Sequence, residues 1–234
     1  WWGITPGKTT WIEAQRLLSL LDTGIIENYE IKDNGAIHKV FFPALRTDLS
    51  LFRFDMTFDL FVAKDGVVQW INAQSDNYNY RVDKEAIDFV MLWNHYSPQQ
   101  VLKDYGLPSN VALFVDEGGE LYDPHAEIWL LYEEKGLLFI YRGKAMGFRK
   151  QDEFFYRVCP LWGNGLMDPF IGIYLRAADN PLPLSRLIYP DVGEPYFSTF
   201  TDATGVSIEN FRNSMLQKDK TICFDTPREI WESK

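Results

Sequence analysis

The sequence predicts an α+β protein with helices packed on antiparallel β-sheet, arranged as two tandem helix-plus-sheet units. Three observations carry that expectation. The stretch from Ser97 to Pro108 holds a start signal, a short amphipathic body and a stop signal for one helix. Leu51 to Val62 alternates apolar and polar residues with the period of a strand that has one wet face. The chain is also rich in aromatic residues, with 17 Phe, 12 Tyr and 8 Trp, which favour large packed sheets.

A lead-in containing Pro6 and Gly7 opens the chain, and a helix is predicted from Trp11 to Leu21. Thr10 and Glu13 have the spacing of a capping box, in which each side chain serves the other residue's free backbone N–H. Ala14, Leu17, Leu18 and Leu21 recur at helical spacing, and Gly24 is the expected stop. From Ile25 to Ser75 the pattern is that of strands, with Ile37 to Phe42 as a short apolar run. Phe52, Phe54, Met56, Phe58 and Leu60 share one face of the next strand, and Arg53, Asp55, Thr57 and Asp59 the other. Lys64-Asp65-Gly66 turns the chain into a partner strand from Val67 to Ala73. The polar connection Asp76–Arg81 is the expected boundary of a first unit, residues 1–80.

A second unit is expected over 81–150. Lys84 to Trp93 has helical character. Ser97 caps the next helix, Pro98 occupies its first position, and Gln100 completes a capping box. Val101, Leu102 and Tyr105 are expected to face inward, Gly106 to end the helix and Pro108 to prevent its resumption. Strands are predicted at Val111–Val115, Ile128–Tyr132 and Leu137–Tyr141, the last two joined by Glu133-Glu134-Lys135-Gly136. Residues 151–234 form a C-terminal extension with strands near Phe154–Val158 and Ile171–Leu175, a Pro-rich stretch, and a helix from Ile208 to Gln217.

Charge and motifs exclude more chemistry than they suggest. The formal net charge is −10, from 33 acidic and 23 basic residues, whereas a nucleic-acid binder needs a basic surface to displace counterions. No apolar run reaches the ~18 residues of a bilayer-spanning helix. Gly3-Ile4-Thr5-Pro6-Gly7-Lys8-Thr9 superficially echoes a phosphate loop, but its spacing is one residue short, no strand precedes it, and Pro6 removes an N–H. His38, His95 and His125 stand apart, without carboxylate or cysteine at metal-ligand spacing. There is no Gly-x-Ser-x-Gly elbow, and neither cysteine has the setting of an activated thiol. No catalytic residue, cofactor or metal is therefore expected.

Two readings remain for Cys159 and Cys223: a disulfide formed in an oxidising compartment, or two thiols in a core. The first residue is Trp1 rather than Met, a start that a removed signal peptide explains and that a trimmed chain also explains. The expectation is an extracytoplasmic protein, secreted or membrane-anchored on the outer face, with a lipid anchor upstream of Trp1 as one means. Trp70, Tyr78, Tyr80, Trp93 and Tyr96 cluster around the expected boundary. They are the candidate partner-binding residues, because interfaces favour Trp and Tyr; packing between two sheets is the competing use.

Ser97, Val101, Gly106 and Pro108, followed by hairpins, resemble the small repeat of bacterial SmpA/OmlA-type outer-membrane lipoproteins and of β-lactamase inhibitory proteins. Thr10, Glu13 and Ala14 fit the same repeat, but no Gly-x-Pro follows the first helix. The tail around Thr204-Gly205, Cys223 and Thr226-Pro227 is similar to exported bacterial proteins. The resemblance implies a helical segment packed on an antiparallel sheet, whose concave face or loops bind a protein; no inhibitory residue carries over. The function expected is a non-enzymatic exported protein that binds a protein or cell-envelope partner through an aromatic-rich sheet face. A hydrolase using acidic residues, or a structural subunit of an envelope assembly, are the alternatives.

Overall fold

A computed structural model describes residues 3–20, 26–42, 54–77, 93–117, 124–159, 170–181, 183–185, 197–217 and 222–232. Its strands are β1 (Ile26–Lys32), β2 (Gly35–Phe42), β3 (Phe54–Ala63), β4 (Val68–Asn77), β5 (Asn110–Asp116), β6 (His125–Tyr132), β7 (Leu137–Lys150), β8 (Glu153–Val158), β9 (Phe170–Arg176), β10 (Ser198–Thr199) and β11 (Phe224–Pro227). Helices α1 (Trp11–Ser19), α2 (Pro98–Asp104), α3 (Phe200–Thr204), α4 (Ile208–Met215) and α5 (Glu229–Glu232) complete the described regular structure, apart from short 3₁₀ turns. The fold is α+β on antiparallel sheet. The chain divides into two compact units that interleave in sequence. One comprises Trp1–Asn79, Tyr132–Phe139 and Ile171–Pro190, the other Tyr80–Leu131, Ile140–Phe170 and Asp191–Lys234.

In the first unit β1, β2, β3 and β4 form an antiparallel meander, and β9 lies beside β4. The alternation in β3 decides which face is core: Phe58 and Leu60 are buried, and so are their cross-strand partners Val40, Ala73 and Ile71. α1 begins with the capping box the sequence predicts, Glu13 N–H donating to Thr10 Oγ1 and Thr10 N–H to Glu13 Oε2. It buries Ala14 and Leu18 and stops at Ser19, earlier than expected. There the Ser19 hydroxyl donates to the Arg16 carbonyl and Leu20 N–H to Leu17, which tightens the last turn. Leu21 and Gly24 lie outside the described residues.

The lead-in segment explains how α1 reaches the sheet. Gly7 N–H donates to the Val68 carbonyl, Val68 N–H to Thr9, and Trp11 N–H to Gly66, so the chain runs along the start of β4. Lys8 and Thr9 donate their N–H groups to the Thr5 carbonyl. The N–H groups of Gly7, Lys8 and Thr9 are thus spent on the fold itself. Trp11 then stacks on His38 of β2, with ring centroids 3.9 Å apart.

The second unit has β10, β5 and β6 side by side and a β7–β8–β11 ribbon. α2 has the predicted cap, Ser97 Oγ accepting from Gln100 N–H. The reciprocal half of the capping box is replaced: the Gln100 amide donates to Asp104 one turn on, at 2.7 Å. Val101 and Leu102 are fully buried, Tyr105 only half. Gly106 takes φ 82°, the left-handed stop that Gly reaches without penalty. Phe200 of α3, Phe211 of α4 and Phe224 of β11 meet with centroids 4.7, 4.8 and 5.6 Å apart, anchoring the C-terminal helices.

The Cys159–Cys223 pair is a disulfide, Cα–Cα 4.1 Å. Its place follows from register: Val158 pairs with Phe224 in the antiparallel β8–β11 ladder, so the next residues outward face each other. The bidentate Arg157–Asp225 ion pair ties the same two strands.

One turn is built against propensity. Gln151 and Asp152 join β7 to β8 with φ of 50° and 67°. Two left-handed residues make the hairpin twist that suits the strands, but this is the conformation for which Asn-Gly is preferred. Replacing Gln151→Asn together with Asp152→Gly is expected to stabilise the protein by about 1 kcal/mol. The check is a higher urea midpoint with an unchanged m-value.

Candidate partner-binding face

Trp70 is the predicted site residue around which a distinct surface forms. In β4, Trp70, Asn72 and Gln74 point to the face opposite Ile71 and Ala73, because successive side chains alternate. Cross-strand register brings three rows onto that face. Ile37, Phe61 and Trp70 make the first, Lys39, Asp59 and Asn72 the second, and Thr57 with Gln74 the third. Phe61 and Trp70 stack, with centroids 5.9 Å apart and planes 15° apart. Beside them the register shifts at Phe61/Val62, leaving Gln69 as an extra residue in β4. Its carbonyl accepts from Ala177 N–H, just beyond β9. Gln74 Nε2 donates to the Tyr174 hydroxyl at 2.8 Å, which adds a phenol from β9 to the third row.

The face is half-buried. Ile37, Phe61, Trp70, Asp59, Asn72 and Gln74 all have intermediate exposure, while Lys39 and Thr57 are exposed. Burial pushes the Asp59 carboxyl above its ordinary range, Lys39 pulls it back, and Glu30 adds to the rise. Asn72 Oδ1 is buried and accepts no hydrogen bond among the described residues.

The Asp59 shift has a stability consequence. A carboxyl whose folded-state pKa is raised binds its proton more tightly folded than unfolded, so stability falls as pH rises from the unfolded value through the folded one. Asp59→Asn is therefore expected to raise the urea midpoint at pH 7, with the gain shrinking to nothing as the pH falls below the ordinary aspartate range. Lys39 and Glu30 are the charged groups whose fields act on it. An equal gain at pH 7 and at pH 3 would mean that the substitution acts through packing and not through charge.

The other predicted residues are placed differently. Trp93 and Tyr96 belong to the second unit, where Trp93 is buried and the rings lie 5.9 Å apart. The Tyr96 carbonyl accepts from the Tyr141 hydroxyl of β7 at 2.8 Å, which is a packing arrangement. Tyr78 and Tyr80 lie outside the described residues. Sequence reading passed over Phe61, Asn72, Gln74 and Tyr174. Phe61 carried a signal, since it has the parity of Thr57 and Asp59 on the wet face; Tyr174, 100 residues from Gln74, carried none.

Prominent carboxylates of the second unit are engaged by donors. Glu127, buried in β6, accepts from Trp129 Nε1 at 3.1 Å and from Arg142 at 3.1 and 3.2 Å, and Arg142 lies over the Phe170 ring. Glu117 accepts from both Arg228 and the Tyr156 hydroxyl, and the Arg228 hydrogen bond holds its carboxyl below the ordinary range. His125 Nε2 stands 4.0 Å from Asp116, with its pKa lowered mainly by burial and further by Arg142. In the first unit Glu133 accepts from Arg176 and from Leu184 N–H. Among the described residues no group of three or more His, Cys, Asp or Glu is placed to hold a metal ion.

No protein-family model, curated protein or solved structure matches the chain.

Proposed function

We propose that this chain is a non-enzymatic binding protein that works outside the cytoplasm and engages a protein or cell-envelope partner through the Trp70 face. The observation that carries the reading is the half-exposed Phe61–Trp70 stack flanked by a polar row. Stacked aromatics that keep access to solvent are the residues from which interface hot spots are made. Of the carboxylates on which a hydrolase would draw, Glu117 and Glu133 each accept hydrogen bonds from an arginine and a second donor, which supports a structural use for those two. The Cys159–Cys223 disulfide supports an oxidising compartment, with the protein secreted or held on the outer face of a membrane.

The test is co-sedimentation of the purified chain with the envelope fraction of its native source. Trp70→Ala is expected to weaken the association about 30-fold, the scale of a hot-spot loss near 2 kcal/mol. Tyr29→Ala, an exposed tyrosine on β1, serves as the control and should leave it unchanged. Undiminished binding by a folded Trp70→Ala protein would falsify the reading.

A further inference from the structure

The outer strand of the first unit's meander, β1, carries apolar surface at the end of an otherwise buried face. Successive side chains of a strand alternate, so Tyr29 and Ile31 share one side of the sheet. Register continues that side across the meander. Tyr29 pairs with His38 and His38 with Leu60, while Ile31 pairs with Ala36 and Ala36 with Val62. Leu60 and Val62 are buried, yet Tyr29 is 67% exposed and Ile31 77%. Trp11 of α1 stacks on His38 of β2, and the Tyr29 ring stands 6.2 Å beyond His38 at the uncovered end of the same row.

The edge is also open to pairing. β1 stands at the end of the strand order, and among the described residues no strand pairs with its outer side. Alternate residues of such a strand turn their N–H and C=O groups outward, which makes a template for another strand. Charged side chains ordinarily protect an edge by repelling a second copy. Here Glu30 and Lys32, on the side away from Tyr29, form an ion pair with each other, so their charges offset.

The strand is complementary to itself. A two-fold axis perpendicular to the sheet sets two β1 strands antiparallel and brings residues of equal parity opposite each other. All seven residues of Ile26–Lys32 overlap only when that axis passes beside Tyr29. Tyr29 then meets Tyr29, Glu30 meets Asn28, Glu27 meets Ile31 and Lys32 meets Ile26, so no like charges oppose. The two Ile31 residues fall diagonal to the tyrosines and complete an apolar centre. An axis at Glu30 would instead set two carboxylates against each other.

We propose that this chain forms a two-fold dimer by antiparallel pairing of β1 with β1 of a second copy, centred on Tyr29. Pairing edge to edge leaves the Trp70 side open in both copies, and the dimer is independent of what that side binds.

Sedimentation velocity of the intact, disulfide-bonded chain over roughly 1 μM to 1 mM tests this. The expected result is a reversible monomer–dimer equilibrium with a dissociation constant on the order of 10–100 μM, the weak range that suits a small interface. Ile31→Glu, which sets a carboxylate against Glu27 on both sides of the axis, should weaken it about tenfold or more while leaving the circular dichroism unchanged. Tyr29→Cys reads the register: diamide oxidation should link two chains through the new thiols. Leu107→Cys, at an exposed position of the second unit, should not link them. A monomer throughout the concentration range would overturn the dimer. A dimer untouched by Ile31→Glu would place the contact elsewhere on the chain and overturn it equally. Sensitivity to Ile31→Glu without Tyr29→Cys linkage above the Leu107→Cys level would overturn the register centred on Tyr29.

Discussion

Arg142→Met is expected to destabilise the protein by about 3–5 kcal/mol, because it strands the Glu127 carboxylate in a site with almost no access to water. The Glu127 side chain is 8% exposed, and Arg142 supplies two of its three hydrogen bonds. The penalty arises from the charge left behind and not from the worth of the pair. Glu127→Met combined with Arg142→Met should therefore recover most of the loss, since apolar replacement of a buried ion pair is often neutral or better. Urea unfolding of the two single variants and the double variant measures this directly. If the double variant is as unstable as the sum of the singles, the two side chains are not coupled and the account of Glu127 is wrong.

The second large effect concerns the disulfide. Cys159→Ser with Cys223→Ser is expected to cost roughly 4 kcal/mol, from the loop-closure entropy that the bond removes from the unfolded chain. The sequence separation is 64, which puts the bond among those that close long loops. The loss should also have a location. β11 is a four-residue strand held by its ladder to β8, by the Arg157–Asp225 pair and by the bond just beyond Phe224. Limited proteolysis of the reduced or substituted protein should cut first between residues 222 and 232, where the oxidised protein resists. Equal resistance in both forms would show that the Phe200–Phe211–Phe224 cluster alone holds the tail.

Much of the local architecture was legible in the residues because its causes are local. Thr10 with Glu13, and Ser97 with Pro98, state where helices begin, and both caps form. The alternation through Phe58, Asp59 and Leu60 states which way β3 faces, and Lys64-Asp65-Gly66 turns it into β4. Where local rules failed, a neighbour had intervened. Gln100 satisfies Asp104 in preference to the Ser97 backbone, and Gln151-Asp152 holds a turn whose propensity it lacks because β7 and β8 are long enough to impose it.

The candidate site was legible only as one residue. Trp70 was singled out for its company of nearby aromatics, yet its partner in the structure is Phe61, set by register across the β3–β4 hairpin. Trp93 and Tyr96 belong to a different unit, and the Asn72–Asp59 juxtaposition, the Gln74–Tyr174 hydrogen bond and the burial of Asp59 had no trace in spacing.

By itself, then, the sequence determined the α+β class, the helix starts and the sheet faces, all of which depend on contacts within a few residues. The pairing of Cys159 with Cys223, the interleaving of the two units, and the assembly of an aromatic floor beside a polar row were decided by tertiary structure. The physical reason is common to them. Each depends on which strands become neighbours, and strand order is chosen by the burial of whole faces, a property no short window of residues contains.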